Sequence, residues 1–442
     1  MKNFYTIWAL LFISTFGLAQ GPSANIKEDV NELHRLIDKK ADEIEAKVIE
    51  WRRYIHQNPE LSNREFKTAE MIAAYLKEIG IEVQTGIAKT GVKGILKGGK
   101  PGPVVALRAD MDALPVKERV NLPFKSQAKG RYRGQEVDVM HACGHDTHVA
   151  MLMGAAGILS SIKAEIKGTI IFIFQPAEEG APPGETGGAK DMVAEGILEN
   201  PTVDVAFGIH INSQTEINKI RYKPQGAMAA ADQFEITVNG KQSHGSQPWS
   251  GVDPIVIGAQ IVMGLQTIIS RQTELTKDAA VITVGIFNAG VRNNIIPEKA
   301  TMIGTIRTLD AEMQDIIHEK IKKTATLIAE AGGATADVKI IRGVPVTVNN
   351  PALTRQMLPT LFDVAGEDNV FLSKAKTGAE DFSFYANKVP SLFVFLGGMP
   401  KGQSPIDAAA HHTPDFYIDD SGLKLGVRTY ARLAIDYQNS SK

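Results

Sequence analysis

Apolar positions recur at helical spacing over residues 26–55 and again over 67–79, where the run stops at Gly80. From there the pattern shortens and alternates. Residues 94–97 and 104–108 read as strands, 149–162 as an apolar helix, and 169–174 and 203–211 as buried strands. Such alternation predicts an α/β domain whose mixed, largely parallel sheet is flanked by helices. Near Gly226 the rhythm changes. Strands are expected at 234–239, 280–288, 300–308 and 336–341, with helices at 254–270 and 311–331. That order, β-α-β-β-α-β, is the order of a ferredoxin-like α+β unit. The α/β pattern then resumes, with a strand at 391–396. The expected organisation is one α/β domain over 26–226 and 343–442, interrupted by a second domain over 227–342.

The first residues stand apart. Lys2 precedes a nearly unbroken apolar run over 5–16, and small residues follow at Gly17 and Ala19. This predicts an export signal over 1–19, too short an apolar run for a membrane anchor, and hence a periplasmic or secreted protein without stable membrane insertion. A length of 442 residues supports two domains. The net charge of −2, from 48 basic and 50 acidic residues, argues against a nucleic-acid partner. Cys143 is the one cysteine, so no intrachain disulfide is possible, and an unprotected thiol in an oxidising compartment is a liability.

Polar residues fall repeatedly where strands are expected to end, which is where open α/β sheets place their chemistry. Asp110 and Asp112 follow one strand, Glu178 and Glu179 another, and His210 a third. His141, Cys143, His145 and His148 precede an apolar helix. Thiolate and imidazole together suit zinc or a similar transition metal. Taken alone, Cys143 reads equally as an inert buried thiol, and Glu178-Glu179 as a solvated acidic turn. His210 alone reads as a core histidine. His411 and His412 add imidazoles from a distant loop. In the second domain, His244 sits in a Gly/Ser turn from which it can reach a developing oxyanion or simply face solvent. Asn293 and Arg307 can bind a substrate carboxylate, although Arg307 alone reads more naturally as a surface ion-pair partner.

In their order and spacing, RADMDALP (108–115), MHACGHDTHVAM (140–151), QPAEEG (175–180), GIHI (208–211), GKQSHGSQP (240–248), NIIPEKATMIGTIR (294–307), TGAEDFSFY (377–385) and HTPDFY (412–417) resemble the M20 metallopeptidase and aminoacylase family, specifically its amidohydrolase branch. The resemblance runs from about residue 50 to 437. It implies two divalent metal ions (zinc, manganese or cobalt) held by Cys143, His145, Glu179, His210 and His412. By the same likeness Glu178 is the general base, and His244 the oxyanion donor, often across a dimer interface. A homodimer through the inserted lid domain follows. The branch has Asp110-Met-Asp112 where other branches carry a metal-binding His-x-Asp, so Asp112 is expected to orient a ligand. The implied substrate is an N-acyl amino acid or similar conjugate; a metallo-dipeptidase or carboxypeptidase of the same family is the alternative. A thiol hydrolase using Cys143 with His145 or His148 as base is the competing mechanism.

Overall fold

A computed structural model describes residues 22–440; the expected export signal, 1–19, lies outside them. The large sheet has eight strands, in the order Glu82–Ile87, Gly91–Lys97, Lys167–Gln175, Lys100–Asp110, Val205–Glu216, Ser391–Met399, Ile220–Tyr222 and Val370–Leu372. Its four central strands run parallel, and the outer pairings beside them are partly antiparallel. Each central strand is buried on both faces, so its residues divide between two cores. Leu107, Phe172, Ile209 and Val394 pack on one side. Ala106, Ile171, Ile173 and Phe393 pack on the other. Helices Pro22–Gln57, His145–Ser161 and Leu423–Ser440 cover the first face.

Parallel register fixes which polar residues emerge together. Arg108 is level with Gly208 and Phe395 with His210. Asp110 is level with Gln175, two residues before the Ala177–Glu179 turn. The carboxyl ends of four strands therefore open onto one place.

Residues 230–344 build a second sheet, ordered Ala280–Ala289, Lys299–Thr308, Ala230–Asn239, Thr335–Val344, antiparallel throughout. Helices Pro254–Gln272 and Ala311–Ala331 close its own core around Phe234, Ile236, Ile261, Met302 and Ile317. Pro at the first position of the earlier helix, with Asp253 accepting from the amides of Ile255 and Val256, sets its start. Asp310 caps the later one through the Met313 amide.

One boundary differs in a way that matters. The apolar helix begins at His145, not 149, because Gly144 adopts φ +94° and Thr147 caps back onto the Gly144 carbonyl at 2.6 Å. His145, Asp146 and His148 are thus its first turn. A Cβ on Gly144 would lie 2.3 Å from Ile211, so only glycine lets this segment approach the His210 strand so closely.

Candidate metal centre and active-site cleft

Which nitrogens and oxygens are already used, and which are left over, decides what the cluster can do. His148 donates from Nδ1 to Asp110 at 2.5 Å and accepts the Ile211 amide at Nε2, so both ring nitrogens are occupied. His411 is likewise spent: Nε2 accepts the Ser213 amide and Nδ1 faces the Cys143 carbonyl. His141 is buried but turned toward His56. Asp110 receives Arg108 at 2.7 Å and His148. His148 thus has no ring nitrogen left for a metal, whereas His411 Nδ1 also lies 3.7 Å from the Cys143 sulfur and an Asp110 oxygen 3.8 Å from His145 Nε2, each engaged by another partner as well.

The remaining groups keep a donor atom for the cluster. His145 donates from Nδ1 to Asp112 at 3.2 Å, and its Nε2, buried and without a hydrogen bond, lies 4.0 Å from Oε1 of Glu179. Such a carboxylate–histidine pair is how metal-ligating imidazoles are oriented. His210 uses Nδ1 on its neighbour's carbonyl at 2.6 Å, leaving Nε2 3.5 Å from the Cys143 sulfur. His412, in the left-handed region at φ +64°, brings Nε2 to 3.3 Å from that sulfur and 3.0 Å from Glu179. Cys143, His145, Glu179, His210 and His412 therefore converge, each with one atom to spare.

The electrostatics call for positive charge. Burial together with Glu179 and Glu178 pushes the Cys143 thiol far up. Burial opposes a charge on His145, yet Asp110 and Asp112 outweigh it and push its pKa up to about 10. Thiolate, imidazole and carboxylate donors with orphaned buried atoms fit divalent transition metals, whose charge lets the thiol ionise and His145 turn a neutral nitrogen inward. The same facts weaken the thiol-hydrolase reading. The neighbours of the Cys143 sulfur are His210, His411 and His412, and neither His145 nor His148 is placed as its base.

The acidic turn is held from two sides. Asp112 accepts the amides of Glu178 at 3.1 Å and Glu179 at 3.0 Å. Buried Glu65 accepts the Ala177 amide at 2.9 Å and the Thr90 hydroxyl, pinning Ala177 at φ +52°. Glu178 then points Oε2 to 3.9 Å from His145 Nε2. Burial, then Glu380 and Glu179, push its carboxyl well up, as suits a group that takes and returns a proton. Behind it, Arg108 ties Asp110, Glu380 and Asp381 together. Glu65 carries no signal in the sequence. Asp381 and Glu380 stand in the TGAEDFSFY motif, but nothing in their spacing assigns them a role.

A cleft of about 560 Å³ opens over the cluster, lined by Cys143, Glu178, Glu179, His210 and His412 and, from the second sheet, Arg307. His244 and Asn293 do not line it; both are exposed on the second domain. Nδ1 of His244 accepts the Ser246 amide at 3.1 Å, which leaves its proton on the outward Nε2.

A two-domain α/β scaffold with a Cys/His/Glu cluster and a buried carboxylate at its strand ends defines a metal-dependent hydrolase. Residues 106–436 match the model of peptidase family M20/M25/M40, and the chain belongs to that family. It is 42% identical to thermostable carboxypeptidase 2 of Saccharolobus solfataricus, over 90% of this chain and 97% of that protein. It is 36% identical to N-acetylcysteine deacetylase of Bacillus subtilis, over 88% and 96%. A crystal structure of a Bacillus subtilis dinuclear metal-binding peptidase of the M20 family superimposes with TM-score 0.76 at 33% identity, over 90% of this chain and all of that one. The protein is thus a metal-dependent amide or peptide hydrolase, and its cofactors are two divalent metal ions.

Proposed function

We propose that this enzyme hydrolyses the amide bond of N-acyl amino acids, with Cys143, His145, Glu179, His210 and His412 holding the metals. Divalent ions there supply Lewis acidity to the scissile carbonyl and make water acidic enough to lose a proton near neutral pH. Glu178 takes that proton at Oε2 and returns it to the departing amine. The observation that carries the reading is Glu178 itself, a nearly buried carboxylate whose Oε2 lies 3.9 Å from the His145 nitrogen that has no hydrogen bond, with burial and the carboxylates of Glu380 and Glu179 pushing its proton affinity up. Arg307, in the same cleft, binds the carboxylate of the amino acid.

His244 and Asn293 would complete the site from a second copy of the chain. Support for a homodimer comes from the second domain's edge. Among the described residues, strand Ala280–Ala289 is unpaired on one side and exposes Ile286 at 46%, while the helix beside it exposes Met263 at 69%. An exposed apolar edge of this kind asks for cover.

Carboxypeptidase action is the second reading, favoured by the identity to the Saccharolobus protein. A panel of N-acetyl, N-benzoyl and N-indolylacetyl amino acids beside dipeptides and longer peptides, with metal analysis of the same sample, separates the two. Turnover confined to the peptides would overturn the deacylase reading.

A further inference from the structure

The cleft contains a second cation that the reaction does not use. Lys376 lines the same cleft, half-buried, its Nζ 3.8 Å from the centroid of the Phe395 ring. Its backbone is fixed on both sides: the Lys376 amide donates to the Ala227 carbonyl, and the Ala229 amide to the Lys376 carbonyl. The side chain therefore starts from a rigid strap. Among the described residues, neither Lys376 nor Arg307 forms an ion pair with a carboxylate. Arg108, behind the acidic turn, is by contrast matched by three acidic partners.

Burial and Arg221 push the Lys376 ammonium down to about 8, against a smaller opposing pull from Cys143. A half-buried, unpaired ammonium over an aromatic face keeps part of its desolvation cost uncompensated until an anion arrives. The α-carboxylate is already assigned to Arg307. We propose that Lys376 recognises a second carboxylate, so that the preferred substrates are dianionic N-acyl amino acids. The second charge sits either on the amino-acid side chain or at the far end of a dicarboxylic acyl group. This inference rests on the deacylase reading above.

Two matched pairs distinguish the sources. N-acetylglutamate against N-acetylglutamine tests the side chain, and N-succinylmethionine against N-butanoylmethionine tests the acyl group. The metal-loaded enzyme should favour the charged member of one pair by about tenfold in kcat/KM, expressed in KM, the size of one net charge-assisted hydrogen bond. Lys376→Met should erase that preference while leaving the neutral members within about twofold, and Lys376→Arg should keep it. Calorimetric binding of the same four compounds to the metal-loaded Glu178→Gln protein, with and without Lys376→Met, reads the inference without turnover. If nothing is hydrolysed yet the charged member still binds tighter through Lys376, the deacylase reading fails and the anion site stands. Equal affinities within both pairs, or an equal loss on all four compounds in Lys376→Met, overturns the proposal.

Discussion

Asp112 faces His145, Oδ1 to Nδ1, at 3.2 Å, and the same carboxylate accepts the amides of Glu178 and Glu179. One buried side chain thus fixes both the His145 ring and the turn of Glu178 and Glu179, the groups proposed as ligand and base. The Ser62 hydroxyl, 2.7 Å from Oδ2, completes its shell. Asp112→Ala should lower metal affinity about 10- to 100-fold, the usual cost of losing the partner behind a ligating histidine. Competition titration against a chromophoric chelator measures it. Unchanged affinity would show that Asp112 serves only the turn.

Glu178→Gln should separate binding from chemistry. The amide keeps the shape of the side chain but cannot take a proton, so the expected loss in kcat is about 10²- to 10⁴-fold with metal content unchanged. Metal analysis beside steady-state rates checks both halves. A variant that turns over at the parent rate removes Glu178 as the base.

Metal removal and thiol alkylation distinguish the two chemistries open to Cys143. A chelator should abolish activity, and added Zn²⁺, Mn²⁺ or Co²⁺ should restore it. Iodoacetamide should react slowly with the loaded enzyme, where the sulfur would be engaged by metal, and slowly also with the stripped one, because the sulfur is buried between His210 and His412 and burial with Glu179 keeps it a thiol. Full activity in the chelated protein, lost only on alkylation, would instead make Cys143 the nucleophile.

Glu65 should matter without touching any ligand. Its grip on the Ala177 amide holds a left-handed, non-glycine residue one position before Glu178. Such a conformation costs about 1–3 kcal/mol and persists only where its surroundings impose it. Glu65→Ala should therefore lower kcat at least about tenfold, in line with what small misplacements of reacting groups cost. Ala177→Gly, which relieves the strain, should recover part of the loss in the double variant. A double variant no better than Glu65→Ala assigns the defect to something other than the turn.

The sequence carried the strands and the ligand types because both are local. The short apolar run at Thr169–Phe174 reads as a buried strand, and Cys143 and His145 before an apolar helix offer donors that suit a metal, although Cys143 alone reads equally as an inert thiol. Partner choice was not legible. Nothing local tells His145 from His148, since both sit in one helical turn; Asp110 saturates one and Asp112 leaves the other's Nε2 free. The same holds for His411 and His412, which are separated by where the Ser213 amide points. Shorter or amphipathic elements were also missed, including the hairpin Lys129–Tyr132 with Gln135–Asp138 and the helix Leu423–Ser440, whose buried face shows only against the sheet.

The second domain has its own buried charge, and it yields a prediction about pH. Asp232 accepts from Gln314 at 2.6 Å, from His318 at 2.8 Å and from the Gly343 amide at 3.0 Å, tying helix Ala311–Ala331 to two strands. Burial pushes the Asp232 carboxyl up, but these hydrogen bonds outweigh it and hold its pKa below the ordinary aspartate value. A folded pKa below the unfolded one, about 3.9, means that the unfolded chain binds more protons there. The stabilisation is therefore complete above that value and is lost as pH falls through the lower, folded one. Asp232→Asn should cost about 1–3 kcal/mol at neutral pH, because Asn cannot satisfy all three donors. It should also flatten the acid limb of the domain's stability. Hydrogen exchange of the Ala311–Ala331 amides, followed between pH 5 and 3 in both proteins, reads the two effects together. Parallel acid limbs would mean that Asp232 is already protonated in the folded chain and that the three donors hold a neutral acid.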